Sequence, residues 1–173
     1  AEGQVASMRW NVGGRPFDKR DHCGYRKPPH DGKGRRPVIL LDTNVCVGIL
    51  HSDPKVASHL AESNDLIAIP GMVEGELYYG IEKSTRKSEN KAATEEFLEG
   101  VEIVYSDHEI MAKFGELKGT LEQRGTRIDD ADLVIAATAL CRNAALATGN
   151  VKHFERIDGL RHLDFLVVLV EYS

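Results

Sequence analysis

Cysteine is scarce in this 173-residue chain: Cys23, Cys46 and Cys141 are the only three, far apart and in no C-x-x-C pair. Such an odd, unspaced set excludes a disulfide scaffold and a zinc ribbon. It fits a reducing compartment, with the cytosol as the expectation. Long apolar runs are lacking too. No segment approaches the ~20 apolar residues of a membrane span, and the first residues do not read as a signal peptide, so no membrane role is expected. Internal repeats and low-complexity tracts are missing from residue 38 onward, which argues against a repeat architecture. What is present, 42% apolar and 28% charged residues, is the composition of an ordinary globular domain, long enough to bury a core without a covalent or metal staple.

Charge is unevenly spread. Residues 1–37 hold nine Lys and Arg against four Asp and Glu, a balance of +5, whereas residues 38–173 carry −10. The first segment also holds four of the six prolines and shows no apolar periodicity between Gly13 and Pro37. It reads as a basic, disordered tail or a remnant of upstream sequence. The sharper reading makes Arg9, Arg15, Arg20, Arg26, Lys27, Arg35 and Arg36 an arm for nucleic acid or an acidic partner. His22, Cys23 and His30 have no spacing that suits a metal site.

From residue 38 the chain is punctuated and periodic. Val38-Ile39-Leu40-Leu41 is a continuous apolar run, as expected of a strand covered on both faces, and Asp42-Thr43-Asn44 stops it before a helix over 45–50. Leu66 to Ile69 predicts a second strand closed by Pro70-Gly71. Val73, Leu77, Tyr78 and Ile81 then mark an amphipathic helix, and a further helix ends at Gly100. A third strand spans 101–105. Ser106 or Asp107 caps a helix that runs to about Gln123 and ends at Arg124-Gly125. Asp129 or Asp130 caps the helix over 133–142, and Ala144 to Thr148 is a fourth strand. Alternating strands and helices imply crossover units, so the fold class is α/β with a central parallel sheet flanked by helices.

In such sheets chemistry collects at the carboxyl ends of the strands. Asp42 follows the first strand, Glu76 lies in the helix after the second, Asp132 in the first turn of a late helix, and Asn150 after the fourth strand. The three acids sit in apolar surroundings, VILLD, VEGELYYG and DLVIAA, where a carboxylate is expensive to bury without a counter-charge. Singly, each has a plainer reading: a helix cap for Asp42, a polar helix face for Glu76, a first-turn acid meeting the helix dipole for Asp132. Jointly, three acids around one sheet edge with no Lys or Arg beside them point to a divalent cation.

The segments VILLDTNVCVGIL, GELYYGIEKS, IDDADLVIAATAL and LATGNVKHFERIDGL, in that order over about residues 38–164, resemble the motifs of PIN-domain ribonucleases, and among these the VapC-type toxins of toxin–antitoxin pairs. The resemblance implies a PIN-like nuclease domain over 38–173 and a Mg²⁺- or Mn²⁺-dependent endoribonuclease. It also implies a homodimer and neutralisation by a cognate antitoxin that presents Arg or Lys to the acidic groove. Carried over motif by motif, the acidic pocket comprises Asp42, Glu76 and Asp132 as metal ligands. Asn150 stands where many members have a further Asp, which weakens the case for a second metal.

Oxygen ligands on a hard cation suit phosphodiester cleavage, and three carboxylates repel one another until a cation relieves them. Thr43 and Asn44 either orient Asp42 from behind or merely form the strand-to-helix turn. Asp129 and Asp130 read chiefly as helix caps, with Asp130 as a supporting residue of the pocket. Lys83, Arg86, Lys87, Arg124 and Arg127 are the candidate RNA phosphate contacts, though a solvated helix end explains them nearly as well. Tyr78 and Tyr79 suit the core better than base stacking. His51, His59, His108 and His162 lack partners at zinc-ligand spacing, and His153 with Phe154 reads as a packing turn. Two alternatives stay open. One is a receiver- or phosphatase-like domain with Asp42 phosphorylated, which Asn44 disfavours; the other is a catalytically weak PIN-like binding module.

Overall fold

The computed structural model describes residues 38–51 and 66–164. The basic tail, His59 and the apolar end from Phe165 to Val170 lie outside the described residues. Strands β1 (Val38–Leu41), β2 (Leu66–Pro70), β3 (Glu102–Val104), β4 (Ala145–Thr148) and β5 (Arg161–Asp164) form one sheet in the order β3-β2-β1-β4-β5. Every pairing is parallel. The helices are α1 (Thr43–Leu50), α2 (Gly71–Lys83), α3 (Lys87–Glu99), α4 (His108–Gln123), α5 (Asp130–Cys141) and α6 (Val151–Phe154).

β1 lies at the centre because its residues can be buried on both sides: Ile39, Leu40 and Leu41 are all in the core. The chain leaves β1 towards β2 and β3, then crosses to β4 on the other flank, so the strand order reverses between β1 and β4. A parallel α/β sheet opens a crevice at such a point, beyond the carboxyl ends of the two strands. Asp42 and Asn150 follow those two strands directly.

α5 is the other element that positions the site. Seven consecutive residues, Leu133 to Ala139, are buried, as in a helix covered all round rather than on one stripe. Its lone buried hydroxyl, Thr138, donates to the Val134 carbonyl at 2.7 Å. Asp129 caps the start by accepting from the Ala131 N–H at 2.9 Å. At the other end Arg142, nearly buried, donates to Asp107 at 2.6 Å, where that carboxylate also caps α4 through the Ile110 N–H. α4 stops where Gly125 takes φ +68, a conformation that favours glycine.

The sequence expectations hold for the four strands and the main helices, with two differences. A fifth strand, β5, extends the sheet beside β4; its sequence, Arg-His-Leu-Asp, carries too few apolar residues to signal a strand. Tyr78 and Tyr79 are both exposed rather than in the core, because Val73, Leu77 and Ile81 already form the buried stripe of α2.

Candidate active site

Asp42 is both a helix cap and a buried acid. It is 4% exposed, and its backbone N–H donates to the Ala147 carbonyl at 2.9 Å, which continues the β1–β4 ladder by one residue. Its carboxylate accepts three hydrogen bonds: from the Thr43 N–H at 2.7 Å, the Asn44 amide at 2.8 Å and the Thr148 hydroxyl at 2.6 Å. Burial pushes the carboxyl above its ordinary value, and the negative charge of Asp132 adds to the rise, while the three donors pull it back. The capping reading of Asp42 is therefore correct and incomplete, since a surface cap would not be pushed upward.

Thr43 and Asn44 do more than turn the chain. The Thr43 hydroxyl donates to the Glu76 carboxylate, so α1 and α2 are joined across the cleft. Asn44 donates to Asp42 and accepts from the Gly149 N–H at 2.8 Å, holding the loop after β4 against the loop after β1. Glu76 is half-buried.

Asp132 reaches the same edge from the first turn of α5. Its side chain is 20% exposed, and its Oδ2 lies 2.8 Å from Nδ1 of His153 in α6. The Asn150 side chain has no hydrogen-bond partner among the described residues; its backbone N–H donates to the Thr148 hydroxyl at 2.9 Å. Asp130, expected to support the pocket, is held instead by Lys118 at 2.7 and 2.8 Å on the outer face, with no contact to the three acids.

Two functional candidates have no sequence signal that would have singled them out. Thr148, wholly buried, bridges Asp42 and Asn150 from the end of β4, and its residue type is common in strands. His153 meets Asp132 only through the fold, 21 residues away in sequence.

The donor set suits a hard divalent cation. It offers carboxylate oxygens, the charge of Asp132 raises the cost of ionising Asp42, and no Lys or Arg is paired with Asp42, Glu76 or Asp132 among the described residues. The three carboxylates do not, however, close into one ready-made cluster: among the described residues no group of three or more His, Cys, Asp or Glu stands close enough together to hold a metal. They are linked instead through Thr43 and through the field between Asp42 and Asp132.

Of the cationic candidates, Lys87 is paired with Glu82 at 2.8 Å and Arg86 lies 3.9 Å from Glu89. Arg124 is paired with Asp158 at 2.9 Å. Lys83 stands over the Tyr79 ring, 5.2 Å from its centre, and Arg127 is exposed with no side-chain partner among the described residues.

The PIN domain family model matches residues 39–160. Ribonuclease VapC2 of Rickettsia felis is 38% identical over 126 residues, covering 71% of this chain and 94% of that protein. The tRNA(fMet)-specific endonuclease VapC of Salmonella typhimurium is 32% identical over 131 residues, covering 73% and 97%. The crystal structure of Rickettsia felis VapBC2 bound to a DNA fragment from its promoter superposes with a TM-score of 0.69 at 36% identity, covering 73% of this chain and 97% of that one. These likenesses leave no place for the receiver or phosphatase alternative.

Proposed function

Because the chain belongs to the PIN-domain family, in its VapC branch, we propose that it is an endoribonuclease and the toxin of a toxin–antitoxin pair. PIN-domain nucleases are in general divalent-metal-dependent, and Mg²⁺ or Mn²⁺ is the cation proposed here. The observation that carries this reading is the placement of Asp42, Glu76 and Asp132 at the strand-order reversal, with Asp42 and Asp132 repelling each other and unpaired with Lys or Arg among the described residues.

In this reading Asp42, Asp132 and Glu76 hold the cation and Asn150 lines the rim as a neutral oxygen donor. When bound, the cation neutralises a phosphate oxygen and lowers the pKa of an attacking water. The chain's own residues set the geometry. Thr148 and Asn44 fix the Asp42 carboxylate by donating to one of its oxygens, and the Thr43 N–H fixes the other. The Thr43 hydroxyl, by donating to Glu76, keeps that longer and more flexible side chain turned towards the cleft. Lys83 and Arg127 are the proposed RNA phosphate contacts, with Arg86 and Lys87 available only if RNA displaces their own acidic partners.

The nuclease domain is proposed to span residues 38–173, with 1–37 a basic appendage, and the protein is proposed to act in the cytoplasm. No helix among the described residues is long and apolar enough to cross a membrane. Its proposed protein partners are a cognate antitoxin and a second copy of the chain. Exposed Val47, Tyr78, Tyr79 and Met111 leave apolar surface for such contacts.

The test is incubation of the purified protein with total RNA, with Mg²⁺ or Mn²⁺ against EDTA, followed by mapping of the cleaved ends. Discrete cleavage that EDTA stops, and that Asp42→Asn or Asp132→Asn abolishes in a folded protein, is the expected result. Full cleavage by Asp42→Asn would overturn the assignment.

A further inference from the structure

His153 lies on an unusually short element. α6 is four residues long, too short to hold itself together, so its position must come from tertiary anchors. Those anchors are visible. Phe154, the next residue, has no exposure and roots α6 in the core. The turn that follows is closed by the Ile157 N–H donating to the Phe154 carbonyl at 3.0 Å. One residue further on, Asp158 is bound by Arg124 at 2.9 Å, from the loop that leads into α5. The imidazole is thus held from the same two bodies, core and α5 entry loop, that hold Asp132.

The contact itself is specific. Nδ1 of His153 and Oδ2 of Asp132 are 2.8 Å apart, with the imidazole 53% exposed and the carboxylate 20% exposed, so the ring lies on the solvent side of the acid. It is the one hydrogen bond to the Asp132 carboxylate among the described residues, and Oδ1 has no partner there. By contrast the Asp42 carboxylate has three donors. Asp132 therefore depends on one neighbour for its rotation. An imidazole suits that task better than Lys or Arg, whose fixed charge would compete with a cation for the same oxygens.

We infer that His153 is a positioning residue for Asp132: its Nδ1–H donates to Oδ2, fixes the plane of the carboxylate and leaves Oδ1 to the cation. The inference rests on the nuclease reading above and adds a residue to it. The role requires the proton to sit on Nδ1, the ring nitrogen that faces the accepting carboxylate oxygen.

The experiment compares the full-length wild-type protein with His153→Leu and His153→Asn. Leu removes the donor at similar bulk, and the Asn amide places an N–H at nearly the reach of Nδ1. Calorimetric titration of metal-stripped protein with Mn²⁺ is the first readout; kcat and KM on an RNA oligonucleotide are the second. Leu is expected to weaken Mn²⁺ binding by about 10-fold or more, as loss of an outer partner of a metal ligand commonly does. It should lower kcat with KM for RNA unchanged, without shifting the melting temperature. Asn should restore most of both losses. Wild-type Mn²⁺ affinity in the Leu variant would overturn the inference. So would an Asn variant as impaired as Leu while fully folded, which would mean that the ring itself acts on RNA. A wild-type protein that neither binds Mn²⁺ nor cleaves would overturn the nuclease reading as well, a result distinct from the other two.

Discussion

Replacing Thr148 with Val probes how a buried carboxylate is kept at the end of the sheet. The two side chains have nearly the same shape, so the change deletes a hydroxyl without opening a large void in a site that has no exposure. Two bonds are lost, the 2.6 Å donation to Asp42 and the 2.9 Å acceptance from the Asn150 N–H. Removing a donor from an ionised buried acceptor costs about 1.5–3 kcal/mol, and the half-buried Asn150 amide adds up to about 1. The total of about 1.5–4 kcal/mol lowers Tm by about 3–16 °C in a chain of this size. The loss should depend on pH in a definite direction. Burial raises the folded carboxyl of Asp42 above its unfolded value, so the native state takes up that proton first as pH falls. Ionised Asp42 therefore opposes folding at neutral pH. The metal-free protein gains stability as pH drops through the raised value, and the gain is complete near about pH 4, where the unfolded chain protonates too. Thr148 donates most strongly to the ionised form. The Val penalty is thus largest at neutral pH and shrinks on acidification, and it shrinks equally in an Asp42→Asn background, with a coupling energy of about 1–2 kcal/mol. Urea unfolding of the four proteins in EDTA, at about pH 7 and about pH 4.5, measures both effects. Equal midpoints for wild type and Thr148→Val at neutral pH, or a penalty indifferent to pH and to Asp42→Asn, would refute the reasoning.

Three further outcomes are expected. Truncation to Val38 should change neither the melting temperature nor the cleavage rate by much, as a tail with no apolar face predicts; a several-fold change in cleavage or RNA binding would show residues 1–37 to be a working arm. Arg127→Ala should weaken RNA binding and reduce the magnitude of the salt slope by about 0.7, one phosphate contact on a single strand, with cleavage at saturating RNA unchanged; an unaltered slope would remove Arg127 from the interface. Light scattering at micromolar concentration should give a dimer, and a basic antitoxin should co-purify from the native host; a monomer with no such partner would count against the proposed assembly.

Much of the fold is legible in the sequence because its strongest signals are local. Four mainly apolar runs of strand length alternate with helical periodicity, and the polar residues just beyond the first and fourth, Asp42 and Asn150, mark the active edge. Asp42 and Asp132 stand out for the same reason, as acids set inside core-forming segments. What stays hidden is phase and long-range pairing. Tyr78 and Tyr79 face solvent because Leu77 takes the inward position, a rotation of one residue that a run of three large side chains does not declare. Asp130 looks as well placed as Asp132 until Lys118, twelve residues earlier, is seen to claim it. Thr148 and His153 each act through a partner, 106 and 21 residues distant, and nothing in their own neighbourhoods distinguishes them from strand filler or a turn.

The helix that carries Asp132 has an implication for how such an enzyme can be restrained. The residues from Leu133 to Ala139 in α5 are all buried, so their amide hydrogens are expected to exchange with solvent only when much of the domain opens. Asp132 directly precedes that buried run, so local melting of α5 is not the expected way to withdraw it. Restraint is then expected from something laid over the cleft, and its release leaves three carboxylates in place that a cation has still to draw together.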